Sequence, residues 1–242
     1  MLALFKKEIN GFLHSFIGYI VIIVFLLTTG LFLWVLPVEF NILDYRYASI
    51  DGLFIIGPFV FLFLIPAITM RSFADEKKSG TLELLMTQPL SDLAVILAKY
   101  FAGVVLVIIS LLPTLVWFIS VYRLGLPPGN LDMGGMWGSY IGLFFLGSTF
   151  VSIGIFSSSL TDNQIVSFVI AIFLCAFLYM GFELIYTFIF SGKVGLAIQS
   201  FGLDAHYSSM SRGVIDTRDV IYFISTSVLF ILLTRLSLES RK

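Results

Sequence analysis

Cysteine is almost missing from this sequence: Cys175 stands alone in the middle of an apolar run. It cannot pair within the chain and has no metal-ligating neighbours, so it reads as an apolar packing residue. Histidine is nearly as scarce. His14 and His206 lie far apart and neither belongs to an H-E-x-x-H pattern, which excludes a metalloprotease helix. No G-x-S-x-G is present for a serine hydrolase. The nearest string to a phosphate-cradling loop is SGKV at Ser191–Val194; it lacks the first glycine and has no Ser or Thr after Lys193, so the chain carries no ATP-hydrolysing loop of its own. Charge is thin as well. Only 12% of residues are charged, against about a quarter in a soluble domain. The net charge of −1 excludes a polybasic nucleic-acid-binding surface.

What fills the chain instead is apolar: 59% of residues are hydrophobic, and the 26 phenylalanines are spread along long runs. One soluble core cannot hide that much apolar surface, so lipid must be the solvent. A spanning helix needs about 20 apolar residues, and six runs meet that need: Phe16–Leu36, Leu53–Met70, Ala94–Tyr122, Trp137–Ser159, Ile165–Phe190 and Val220–Leu238. Pro58, Pro66 and Pro113 fall inside them, which membrane bundles tolerate when neighbouring groups satisfy the freed carbonyls. The first run is too long for a cleaved leader and no A-x-A site follows it, so it reads as an uncleaved signal anchor.

Lysine and arginine near the span ends set the orientation. With the N-terminus inside, Lys6, Lys7, Arg71, Lys77, Lys78, Lys99, Arg235, Arg241 and Lys242 are cytoplasmic, nine in all, against five outside: Arg46, Arg123, Lys193, Arg212 and Arg218. Both termini are therefore expected to be cytoplasmic. Before the first run, Phe5, Ile9, Phe12 and Leu13 recur at helical spacing with Lys6, Lys7, Asn10 and His14 on the other side. This predicts an interfacial amphipathic helix over Leu2–Ser15, its lysines facing anionic lipid heads. Residues Ser191–Asp219 mix apolar residues with Gly, Ser and charges, and predict short helices at the outer surface. Within the spans Glu183 is the clearest ionisable group, a candidate intramembrane polar site with Tyr186 at i+3 as a hydrogen-bond partner. Lys99, near the inner end of the third run, is expected to snorkel to the headgroups. Gly138 and Gly142 form a G-x-x-x-G pair that suits close packing, within one subunit or between two.

The densest charge lies between the second and third runs, in RSFADEKKSGTLELLMTQPLSD, Arg71–Asp92. Ser79, Gly80 and Thr81 predict a helix start, with Thr81 as a cap and Glu83 in the first turn, suited to the positive end of the helix dipole. Leu82, Leu85 and Met86 fall on one face, and Pro89 closes the segment. A helix this short does not hold itself together in water, so it needs a partner surface.

The string FADEKKSGTLELLMTQPLSDLAVILAKY, Phe73–Tyr100, resembles the signature of type-2 ABC exporter permeases at Phe73, Glu76, Gly80, Thr81, Leu82, Glu83, Leu84, Leu85, Pro89 and Lys99. Within that family the chain is similar to permeases associated with nitrous-oxide reductase and with gliding motility, a likeness supported by HYSSMSRGVIDTRDVIYF, His206–Phe223. The resemblance implies an all-α integral membrane protein, one permease domain over residues 1–242, with six transmembrane helices, an interfacial N-terminal helix, a cytoplasmic coupling helix within residues 71–92 and short outer helices before the sixth span. It implies that Glu76, Gly80, Thr81, Leu82, Glu83 and Leu85 contact a separate ATPase subunit, of the GldA type, which binds the ATP and Mg; no cofactor is expected in this chain. It implies a second permease subunit as well, a GldG-like paralogue or another copy of this chain, working in a bacterial inner membrane. Two functions are compatible with it: export driven by the neighbouring ATPase, and transmission of ATP-driven motion to an outer partner with nothing crossing the bilayer.

Overall fold

The computed structural model describes residues 1–44, 48–86, 91–189 and 193–240. Every regular element among them is helical. Helix α1 (Leu2–Leu13) leads into α2 (Phe16–Trp34). Next come α3 (Asp51–Thr69), α4 (Arg71–Lys78), α5 (Thr81–Met86) and α6 (Asp92–Leu111). A 3-10 turn at Leu112–Thr114 joins α6 to α7 (Leu115–Leu124), and α8 spans Met133–Leu160. Helix α9 (Gln164–Ala176) passes through a π-turn, Phe177–Gly181, into α10 (Phe182–Ile189). Two short helices, α11 (Lys193–Gln199) and α12 (Leu203–Met210), precede α13 (Thr217–Glu239).

Five helical stretches among the described residues are long and apolar enough to cross a membrane. A sixth is counted when α1 and α2, bent by 61° where they meet, are taken together. The chain is thus an all-α integral membrane protein. The spans run past the apolar runs: α3 continues through α4 as a 28-residue helical stretch, Asp51–Lys78. The end of the fifth run at Phe190, the start of the outer segment at Ser191 and Gly192, the helix stop at Pro89, and Arg46, Arg241 and Lys242 lie outside the described residues.

Helix α8 is the axis of the bundle. Its apolar window is 78% buried, whereas those of α9–α10 and α13 are 22% and 28% buried and leave long faces bare. Lipid tails are as apolar as leucine, so the helices associate by close packing rather than by the hydrophobic effect, and small residues on α8 make that packing possible. A Cβ on Gly138 would lie 2.6 Å from the Cα of Gly213, and one on Gly142 would lie 2.8 Å from the Cβ of Met210. The G-x-x-x-G pair therefore receives its own chain. Two α8 hydroxyls are satisfied within the helix: Ser148 donates to the Phe144 carbonyl and Ser157 to that of Ile153, at 2.8 and 3.0 Å.

Pro58 has no N–H, so the Phe54 carbonyl one turn back lacks its helical donor. The Tyr207 hydroxyl of α12 takes that place at 2.6 Å, both groups buried. Helix α12 is thereby fastened into the proline kink of α3 at what we term the far end of the bundle. The near end holds α1, α4, α5, the start of α6 and the last turns of α8 and α13.

Candidate functional site

The near end gathers most of the polar chemistry. Helix α4 turns Ser72, Phe73 and Ala74 inward. Its amides at Phe73 and Ala74 both donate to one oxygen, Oγ of Ser158 in α8, at 2.9 and 3.0 Å, and that hydroxyl donates to the Met70 carbonyl at 2.9 Å. One serine thus joins the last residue before α4 to its first turn. Two further bonds hold α4 to the α8–α9 connection: Lys77 Nζ donates to the Ser159 carbonyl, and Gln164 Nε2 donates to Asp75 Oδ1.

The deepest charge is Lys99 of α6. Its side chain is only 2% exposed, so it does not snorkel as the sequence suggested. Its Nζ lies 2.8 Å from Glu76 Oε1 and 3.0 Å from Glu8 Oε1, and sits over the Phe73 ring at 5.2 Å. An ammonium is held here because two carboxylates and an aromatic face replace its water. Glu8 was not singled out by the sequence. The signal was present: Leu4, Glu8 and Phe12 are spaced by four and share the face of α1 that meets the bundle. With two acids on one base, the second oxygen of Glu76 is buried without a hydrogen-bond partner among the described residues.

Helix α4 ends in a left-handed glycine. Ser79 N–H donates to the Asp75 carbonyl at 2.9 Å and Gly80 N–H to that of Lys77 at 3.2 Å, and Gly80 has φ of 70°. This is a helix-ending conformation that glycine adopts without steric cost, and it turns the chain so that α5 packs against α4. Thr81 Oγ1 is 2.8 Å from Ser79 Oγ across this turn. Gly80, Thr81 and Glu83 are exposed at the tip, and Leu82 is half-buried against the core. Of the six residues assigned to a partner contact, Glu76 is turned inward to Lys99, while Gly80, Thr81 and Glu83 stand outward. The side chain of Leu85 lies outside the described residues.

At the far end, Glu183 Oε2 accepts from Gln199 Nε2 of α11 at 2.6 Å. The partner is on α11, which packs against α10, and is not the i+3 tyrosine. A cavity of about 300 Å³ beside it is bounded by Phe54, Phe59, Tyr179, Glu183, Asp204 and Tyr207 among others. Burial pushes the Asp204 carboxyl above its usual range; a hydrogen bond from Tyr179 opposes this and the Glu183 charge adds to it. No group of three or more His, Cys, Asp or Glu suited to a metal occurs among the described residues.

A polytopic helical bundle with charged helices fastened across one end defines a class: all-α multi-pass membrane proteins. Within that class, residues 3–211 match the family described as ABC-2 family transporter protein, and the chain belongs to that family. Members of this family are normally non-catalytic permease subunits of ABC transporters, and membership implies an ABC ATPase as partner. No curated protein matches the chain.

Proposed function

We propose that α4–α5 is the coupling element of this permease, with the ATPase bearing on the tip at Gly80, Thr81, Leu82, Glu83 and Leu85. One observation carries this reading: the exposed tip belongs to a hairpin bonded to α8 through Ser158 and Ser159, to α9 through Gln164, to α6 through Lys99 and, through the same lysine, to α1. A displacement of the tip reaches four elements without passing through a flexible linker. Glu76 then acts behind the contact, as the hairpin's anchor.

Two variants test it. Gly80→Pro demands φ near −65° where the backbone has 70°, and removes the amide that bonds Lys77. Glu83→Lys reverses the charge in the first turn of α5. Both leave every span intact, so both should reach the membrane at parental levels. Each should lower ATPase co-purification or coupled hydrolysis by about tenfold, the equivalent of one lost interaction of 1.4 kcal/mol. Parental recruitment and turnover in both variants would dismiss the coupling assignment.

The near end is cytoplasmic in this proposal, as are both termini, in keeping with the nine-to-five division of positive charge. Reporter fusions after Gly129 and near Gly202 should both signal from the outer side; a cytoplasmic signal at either position contradicts the topology. The likeness of His206–Phe223 to gliding-motility permeases supports a narrower assignment: a GldF-type subunit with a GldA-like ATPase and a GldG-like second permease. Mass spectrometry of the complex purified from its native membrane is the check. An ATPase paired with two copies of this chain alone would replace the heteromeric arrangement.

A further inference from the structure

A cleft of about 290 Å³ opens at the near end between α1, the α3–α4 junction and α6. Its charges are sorted by depth. Glu76 and Glu8 are largely buried, with side chains 16% and 15% exposed, and share the ammonium of Lys99, which leaves the interior one negative charge in excess. Glu76 Oε2 is the unfilled acceptor there. The outer cations, Lys7 and Arg71, are exposed. Neither has a hydrogen-bond or ion-pair partner among the described residues. Asp75, the remaining acid of the lining, is engaged by Gln164. Phe12 and Ile68 add apolar surface to the same cleft.

Going inward, the cleft thus offers unpaired cations, then an unfilled carboxylate oxygen, with apolar side chains alongside. A ligand that matches must carry an anion nearer the bilayer and a hydrogen-bonding cation at its tip. We propose that the cleft binds the headgroup of a phospholipid ending in a primary ammonium, with the phosphate on Lys7 and Arg71, the ammonium on Glu76, and the acyl chains leaving past Ile68 and Phe12. The buried oxygen supplies the selectivity. A primary ammonium has three N–H donors and satisfies it, while a trimethylated ammonium of equal charge has none. The amphipathic helix α1, which carries Lys7 and Glu8, lies where such headgroups are found. This site goes beyond the coupling role of α4–α5 and does not depend on it.

The test is a headgroup series on the full chain purified with its ATPase. Dioleoyl phosphatidylethanolamine, its N-methyl and N,N-dimethyl forms and phosphatidylcholine compete for a fluorescent phosphatidylethanolamine. Affinity should fall along the series, and phosphatidylcholine should bind roughly tenfold or more weakly than phosphatidylethanolamine, as expected for a lost charged hydrogen bond. Lys7→Ala with Arg71→Ala should weaken both end members alike and keep their ratio. Glu76→Gln should collapse the ratio; where that variant does not fold, the series on the parent still decides. Equal affinity along the series overturns the site, as does tighter binding of phosphatidylglycerol. Equally strong competition by water-soluble glycerophosphoethanolamine overturns the lipid assignment. A parent that recruits its ATPase without headgroup selectivity refutes this site and spares the coupling reading; selectivity without recruitment does the reverse.

Discussion

Lys99→Met should destabilise the protein by roughly 3–5 kcal/mol, the usual result of removing one partner from a buried ionic cluster. The size follows from what remains. Glu8 and Glu76, each about 15% exposed, are left facing the vacated space with no cation between them. Their repulsion acts through a medium far less polarisable than water. Part of the loss should appear as release of α1, since Glu8 is its one charged tie to the bundle among the described ion pairs. Thermal unfolding in detergent, followed by tryptophan fluorescence, measures the effect, and proteolysis near residues 13–16 reports on α1. Adding Glu8→Gln and Glu76→Gln should restore most of the stability, because the deficit is uncompensated charge and not lost volume. A single variant as stable as the parent would mean that the lysine is not buried between these carboxylates in the membrane.

Ser158→Ala should cost about 2–6 kcal/mol, on the basis of two buried donors left unsatisfied at 1–3 kcal/mol each. Its Oγ accepts from both the Phe73 and Ala74 amides and donates to the Met70 carbonyl, and alanine supplies none of these bonds. The substitution removes a single oxygen and opens little space, so stability and hairpin position should both change while the spans stay assembled. Hydrogen exchange resolves the two: amides at Phe73 and Ala74 should lose protection, and amides in the middle of α8 should not. Ser158→Cys, with a weaker and longer-reaching acceptor, should fall between. Unchanged protection at Phe73 and Ala74 would show that the near end is held without this serine.

The spans were legible because lipid permits little else. A run of twenty apolar residues has no other stable place, and the six runs lie inside or nearly inside the helices observed. Helix α4 was not legible. Its residues Arg71–Lys78 include only two apolar side chains, Phe73 and Ala74, and they are ordered by bonds to Ser158, Ser159 and Gln164, more than eighty residues away. Separation along the chain also hid the state of Lys99, whose partners Glu8 and Glu76 lie 91 and 23 positions away. From its neighbours it reads as a lysine within reach of the headgroups; only the fold brings Glu8 and Glu76 to it. Gly80 was legible as part of a helix start; in the structure it also ends α4, and its φ of 70° accounts for the glycine. Glu183 was legible as a lone acid in a span, but its partner Gln199 was not, because it lies 16 positions away on a separate helix, α11.

The bond between Tyr207 and the Phe54 carbonyl has a consequence for the order in which the chain is built. The two residues are 153 positions apart. When α3 first enters the membrane, its carbonyl above Pro58 has no donor, and the helix that will supply one has not been synthesised. An early span carrying an unmet acceptor is drawn to the translocation machinery, to water at the bilayer edge or to another polar chain until residue 207 has emerged. Completion of the second span therefore waits on a segment that arrives just before the last, and a chain stopped short of α12 leaves the membrane with a defect at its second span rather than a merely shorter protein.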